Sequence, residues 1–277
     1  MSSRTHRTTF LGLTSSAASI NASVVQGSVL GPTLFNLNSS ELAPFSPLNK
    51  YHKYADDSYL VIPSCNVSSI TAELADHSAW AASCNLKLNP SKTSELVFSR
   101  KGQKMPPTNP GITRVTSLRI LGVVVDDKLN FSEHVDSTVS KCSQALFALR
   151  MMRQHGMPSQ SLLTIFRSTL VSKLQYACQS WWGFLTKGSL NKMDGFLRRS
   201  KKLGYCKVEL PDVTHLFEAA DTSLFKRVAC NPEHVLYPLL PPQRQSIYNL
   251  RKRAHNFSLT HKDDRNFINR MLFHKLY

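Results

Sequence analysis

Two adjacent carboxylates, Asp56 and Asp57, lie between the runs Lys50-Tyr51-His52-Lys53-Tyr54 and Ser58-Tyr59-Leu60-Val61-Ile62, whose aromatic and β-branched residues favour strands. The pattern predicts a hairpin with acids at its tip. Neighbouring strand residues face opposite ways, so the pair could share one ion only if the turn re-aims one of them. Hard oxygen donors at such a tip suit Mg²⁺, which takes one or two carboxylates plus substrate phosphates; Mn²⁺ is an alternative. Doubled acids also occur at Asp126-Asp127 and Asp263-Asp264, and in turns such pairs more often face water. The pair gains meaning from its neighbours.

Upstream, Gln26-Gly27-Ser28-Val29-Leu30-Gly31-Pro32 has glycines four apart and a proline suited to the first turn of a helix through Leu34 and Phe35. Gly27 could admit a base or sugar against the main chain, although the segment also reads as a plain turn before a helix. Downstream, Asn89-Pro90-Ser91-Lys92 forms a turn before the strand-like Glu95-Leu96-Val97-Phe98, and from it Lys92 could reach a triphosphate. Further on, Arg198, Arg199, Lys201 and Lys202 accompany Met193, Phe196 and Leu197 on one helical stretch, an apolar face to pack and a basic one to meet phosphates.

The elements that must position these residues give an α+β chain. Ser68 to Cys84 has Ile70, Leu74, His77 and Ala81 at helical spacing, which predicts a helix packed on a sheet. Ser117 to Asp126 is the most strand-like run. From Ser132, taken as an N-cap, Val135, Val139, Cys142, Leu146, Leu149 and Met152 trace a helix closed by Gly156. A second helix is predicted over 159–177, with Leu162, Phe166, Leu170 and Leu174 on one face, and a third over 190–203. Trp181-Trp182 reads as core packing more readily than as a base-stacking platform. Beyond Pro211 the pattern weakens into short helices.

With 277 residues, 42% of them hydrophobic, the chain can bury a core. Residues 1–140 hold 12 Lys and Arg against 10 Asp and Glu, and residues 141–277 hold 22 against 8, so the net charge of +16 divides as +2 and +14. That asymmetry favours a polyanionic partner, nucleic acid before membrane. Six dispersed cysteines form no C-x-x-C pair, which argues against a zinc site or a disulfide framework and for a reducing compartment. Residues 8–40 are uncharged but too often interrupted by polar residues, Gly and Pro to span a membrane. With no signal peptide at the start, an intracellular protein of the nucleus or cytoplasm is expected.

In order, Gln26-Gly27-Ser28-Val29-Leu30-Gly31-Pro32, Tyr54-Ala55-Asp56-Asp57, Leu88-Asn89-Pro90-Ser91-Lys92-Thr93 and Leu121-Gly122-Val123 form a series that resembles the reverse transcriptase of non-LTR retrotransposons, in particular jockey-like elements. The tail from Tyr248 through Ile268 is also similar to the ends of such polyproteins. The resemblance implies a right-hand polymerase: a partial palm over 1–128, a helical thumb over 129–205 and a basic C-terminal extension over 206–277. It implies that Asp56 and Asp57 hold catalytic metals, that Gln26 and Gly27 line template and nucleotide, and that Lys92 lies near the triphosphate. Leu121 and Gly122 would grip the primer, and the thumb would hold duplex through its phosphates. RNA template, DNA primer and deoxynucleoside triphosphates are the implied partners.

The family places another metal-binding aspartate upstream of the Gln-Gly box, whereas residues 1–40 contain no Asp or Glu. The sequence is therefore expected to be a truncated polymerase with little or no activity of its own; the alternative is a non-catalytic nucleic-acid-binding remnant.

Overall fold

A computed structural model describes residues 4–20, 28–99, 102–244 and 255–274. Chain contacts divide it into two units, Met1–Glu95 with Gly102–Arg114, and Leu96–Lys101 with Val115–Tyr277. The mixture of helices and small antiparallel sheets agrees with the α+β expectation, and every sheet among the described residues has two strands.

In the first unit β1 (Arg4–His6) pairs with β4 (Ala18–Ile20), enclosing the hairpin of β2 (Thr9–Phe10) and β3 (Leu13–Thr14). Helix α1 (Gly31–Ser40) has Pro32 in its first turn, as its fixed φ and missing N–H predict. Strands β5 (Lys50–Tyr54) and β6 (Asp57–Val61) form the acid-tipped hairpin, and α2 (Ile70–Ser83) follows a 3₁₀ stretch kinked at Asn66. β7 (Ser94–Leu96) pairs with β8 (Thr113–Val115). The Pro-rich run between them is organised by Arg114, which pairs with Glu95 at 2.8 Å and donates to the Pro106 and Pro107 carbonyls.

The sequence pattern missed what lies beneath α2. Glu73 is fully buried and accepts from the Phe45 and Ser46 amides at 3.1 and 2.8 Å and from Asn49 Nδ2 at 2.6 Å. Asn66 Nδ2 joins this knot through Ser46 Oγ and Asn49 Oδ1. A buried carboxylate is tolerable only when so satisfied. Glu73 thus folds the Ala43–Asn49 loop, with its two prolines, across the helix.

The second unit begins with the hairpin of β9 (Ser117–Ile120) and β10 (Val123–Asp126). The Asp126 carboxylate accepts from the Lys128 and Asn130 amides, shaping the turn into α3 (Ser132–Gln154). Ser132 is the first helical residue and not the cap: Asn130 Oδ1 accepts its amide and hydroxyl, so the polar side chain that fixes the entry stands two residues earlier. Gly156 at φ +84 ends the helix, the left-handed position where glycine costs least.

The next helical run comprises α4 (Ser159–Ile165), a π-helical segment (Phe166–Val171) and α5 (Ser172–Leu174). Leu162, Phe166, Leu170 and Leu174 all lie in the core. A strict four-residue step drifts around a helix of 3.6 residues per turn, and the wider π turn counters that drift. Ala177, at φ +50, breaks the run before α6 (Cys178–Trp181). Trp181 is completely buried, edge-on to His134 at 4.9 Å and to Phe217 at 5.3 Å, as core packing requires.

After α7 (Lys187–Lys202) comes α8 (Val213–Cys230), an 18-residue helix where only short ones were expected. Its buried face, Val213, Phe217, Asp221, Phe225 and Val228, contains an acid, which breaks the apolar pattern in sequence. Asp221 is paired in space: its Oδ2 accepts from Arg270 Nε and Trp182 Nε1, both at 2.8 Å. Arg270 belongs to α9 (Phe267–Phe273), and its guanidinium stacks over Trp182 at 4.5 Å. A second apolar cluster, Phe225, Phe257, Met271 and Leu272, completes this attachment.

Candidate functional site

Asp56 and Asp57 close the β5–β6 hairpin. Tyr54 pairs with Asp57, leaving Ala55 and Asp56 as a two-residue turn, and Ala55 adopts the positive φ, +50, of such turns. Asp56 thus stands in the turn and not in a strand, which frees two neighbouring carboxylates from strict alternation of faces. Both are exposed, and the Tyr59 hydroxyl donates to Asp57 Oδ2 at 3.4 Å.

The hairpin is held from below by contacts that the sequence pattern did not reveal. Lys53 Nζ donates to the Ser39 carbonyl in the last turn of α1 and to the Leu42 carbonyl just beyond it, at 2.5 and 2.8 Å. On the other side Tyr51 OH and His77 Nδ1 of α2 lie 3.1 Å apart. Burial, with the negative charges of Glu73 and Asp76, pushes the Tyr51 phenol up to about 12, while burial holds His77 below its usual range. Both rings stay neutral near pH 7, so the acid tip stands on an uncharged contact.

Among the described residues, no three His, Cys, Asp or Glu side chains gather so as to hold a metal ion. What the hairpin offers is two solvent-facing carboxylates. Such a donor set fits a magnesium ion that keeps several waters and takes further oxygens from substrate phosphates. Lys92, also in this unit, ends a 3₁₀ turn (Pro90–Lys92) with its side chain exposed. Asn89 Oδ1 fixes that turn by accepting from the Ser91 amide and hydroxyl at 3.1 and 2.6 Å. Gln26 and Gly27 lie outside the described residues.

In the second unit Leu121 and Gly122 form the tip of the β9–β10 hairpin, with φ of +46 and +89. Positive φ at both central residues is the type I′ pattern. The hairpin is seated on the helices: Val123 and Val124 are buried, and the Val124 amide donates to His134 Nδ1 at 3.4 Å. Burial, then the charges of Arg119 and Lys141, holds His134 below its usual range, so the neutral ring can accept that bond.

The four basic residues of α7 divide. Arg198, Arg199 and Lys202 line an open groove of about 520 Å³ with Lys192, Asn191, Gly195 and Val139. Lys201 turns away and donates to the Leu210 carbonyl at 2.5 Å, a tether within the unit. Lys192 is the cation the sequence reading omitted. Its spacing of seven residues from Arg199, two turns along the helix, is the signal that places it on that face.

Comparison with known proteins bears on both units. Residues 9–125 match the family model of reverse transcriptase (RNA-dependent DNA polymerase). The chain is 28% identical over 211 residues to the RNA-directed DNA polymerase from mobile element jockey of Drosophila melanogaster, covering 69% of this chain and 22% of that protein. It is 28% identical over 205 residues to the probable RNA-directed DNA polymerase from transposon BS of the same organism, covering 66% and 22%. A third relative there, the probable RNA-directed DNA polymerase from transposon X-element, is 28% identical over 176 residues, covering 58% and 19%. The chain thus spans about a fifth of the length of these curated relatives. No solved structure matches.

Proposed function

We propose that the chain, whose residues 9–125 match the reverse transcriptase family model, forms part of an RNA-directed DNA polymerase of the kind carried by non-LTR retrotransposons. The observation that carries this reading is the two-residue turn that brings Asp56 and Asp57 to a solvent-facing hairpin tip within the matched residues.

Asp56 and Asp57 would hold Mg²⁺, or Mn²⁺ in its place. A divalent ion there supplies charge neutralisation for the phosphate that a primer 3′-hydroxyl attacks. Lys92 supplies a cation for the leaving pyrophosphate, and Gln26 and Gly27 line the template and incoming nucleotide. The Leu121–Gly122 turn grips the primer end, and Arg198, Arg199 and Lys202 hold duplex through its phosphates. Residues 1–128 act as palm, 129–205 as thumb and 206–277 as the basic extension.

Residues 1–40 contain no carboxylate, so any further metal-binding acid upstream of the Gln-Gly box must come from outside this sequence. By itself the 277-residue chain is expected to turn over weakly or not at all, because the transferring phosphate would lack part of its charge stabilisation. A second reading, nucleic-acid binding without catalysis, is favoured by the +14 charge of residues 141–277 and the basic α7 groove.

Primer extension on a primed RNA template, with Mg²⁺ or Mn²⁺ and an Asp56→Ala control, tests the proposal. Extension should appear when the chain is joined to an upstream polymerase segment that bears an aspartate, and should vanish in the control. Duplex binding with no extension in either form would leave the second reading.

A further inference from the structure

Among the described residues two hairpins are built on the same Leu-Gly turn, and the difference between them is informative. β2–β3 turns through Leu11 and Gly12 at φ +48 and +79, and β9–β10 turns through Leu121 and Gly122 at φ +46 and +89. The first turn is open: Leu11 is 86% exposed and nothing lies within 4 Å of a Cβ placed on Gly12. The second is clamped. Tyr176 donates its hydroxyl to the Leu121 carbonyl at 2.9 Å, and a Cβ on Gly122 would stand 3.3 Å from Tyr176 Cε1. The carbonyl between the two central residues has no partner within a two-residue hairpin, so this bond satisfies an otherwise solvated group and fixes the plane of the tip.

Tyr176 reaches the turn because its own backbone is held in an unusual course. The helical run that precedes it widens into a π segment at Phe166–Val171, and Ala177 directly after it takes φ +50. Non-glycine residues adopt that region at a cost, as does Leu121. The fully buried Trp181 donates Nε1 to the Tyr176 carbonyl at 3.0 Å, and Gln175 Nε2 donates to Leu216 O at 3.1 Å. Unusual backbone on both sides of a single contact, each side tied to the core, is how a fold fixes a position that a free hairpin tip would not keep.

We infer that Tyr176 is a positioning residue for the primer terminus: its hydroxyl and ring lock the Leu121–Gly122 turn to the helices that hold duplex, so the primer end and the duplex behind it are held as one body. This rests on the proposed assignment of Leu121 and Gly122 as the primer-gripping turn. It makes Tyr176 a determinant of where the 3′ end lies, and not of how tightly duplex binds.

The test uses the full chain and an RNA template annealed to a DNA primer whose 3′-terminal nucleotide is 4-thiothymidine, a short-range photocrosslinker. Tyr176→Phe keeps the ring and removes one hydrogen bond. It should leave duplex affinity within about twofold, while crosslinking of the 3′ end to residues 119–124 falls roughly three- to tenfold. Amide exchange at Gly122 and Val123 should accelerate by a similar factor, a readout that needs no nucleic acid. Gly122→Ala, whose Cβ would crowd the Tyr176 ring, should reproduce the lost crosslink with Tyr176 intact. A wild-type crosslink that survives Tyr176→Phe overturns the role of Tyr176 alone. Wild-type chain that binds the duplex but never crosslinks its 3′ end to this turn overturns the primer-grip reading, and the inference with it.

Discussion

Glu73 is the residue on which the acid hairpin's surroundings depend. Burial alone would push its pKa up, but the amides of Ser46 and Phe45 and the Asn49 side chain hold it below the usual carboxylate value. A carboxylate with a depressed folded-state pKa stabilises fully above its unfolded value, near pH 4.5, and loses that contribution as pH falls through the folded value. Glu73→Gln should therefore lower stability by roughly 2–3 kcal/mol at neutral pH and flatten the acid limb of the unfolding profile. Unfolding of both forms by urea between pH 3 and 7, followed by amide exchange at Phe45 and Ser46, decides it: parallel profiles would refute the assignment. Nothing in sequence marks this residue, since a glutamate on an amphipathic helix ordinarily faces water. Its role arises only when the Ala43–Asn49 loop folds over α2. Asp56 and Asp57, by contrast, were legible because two strand-forming runs meet at them and the turn between is short.

Among the elements, α7 carries the clearest separation of packing from binding. Met193, Phe196 and Leu197 enter the core while Arg198, Arg199 and Lys202 line the groove. Each phosphate contact contributes about 0.9 to the slope of log affinity against log salt, so changing these three to Glu should flatten that slope by about 3 and weaken duplex binding. Lys201→Gln should leave the slope unchanged and cost stability by about 1 kcal/mol, because its ammonium is committed to the Leu210 carbonyl. Fluorescence-anisotropy titrations at several salt concentrations separate the two; an equal loss of slope in Lys201→Gln would contradict the division. The helices from Ser132 to Leu203 were readable from apolar steps of three and four. Helix α8 was not, because Asp221 occupies a position on its inner face that a periodicity argument reserves for an apolar side chain. The acid-tipped hairpin was readable, but Ser117–Asp126, read as one strand-like run, folds back at Leu121–Gly122 into β9 and β10, and pairing between distant strands, as in β1 with β4, leaves no local pattern.

At the scale of the whole molecule, the charge asymmetry and the motif order were the most legible features, since both are sums over many residues. The attachment of residues 255–274 was the least legible, because it depends on a salt bridge spanning 49 residues. The Arg270 and Asp221 side chains are only 8% and 2% exposed, and removing one partner would strand a buried charge. Arg270→Met should therefore destabilise the second unit by about 3–5 kcal/mol, whereas pairing it with Asp221→Leu should restore much of the loss. A double-mutant cycle by thermal unfolding reads this directly, and a double variant no more stable than Arg270→Met would refute it. Gly183 belongs to the same joint. A Cβ there would run into Arg270 Nη1 and the Asp264 and Arg265 carbonyls, too close for any side chain to be accommodated without movement.

That salt bridge also sets a timetable for synthesis. Asp221 leaves the ribosome 49 residues ahead of Arg270, an interval of roughly 2–10 s at ordinary elongation rates. Until the arginine emerges, the inner face of α8 has neither its counter-charge nor the Met271 and Leu272 side chains that cover Phe225. A helical core that formed before then would carry an open, partly acidic seam beside α8. The end of the second unit is a late-closing part of the fold, and the stage at which a ribosome-associated chaperone would have most to bind.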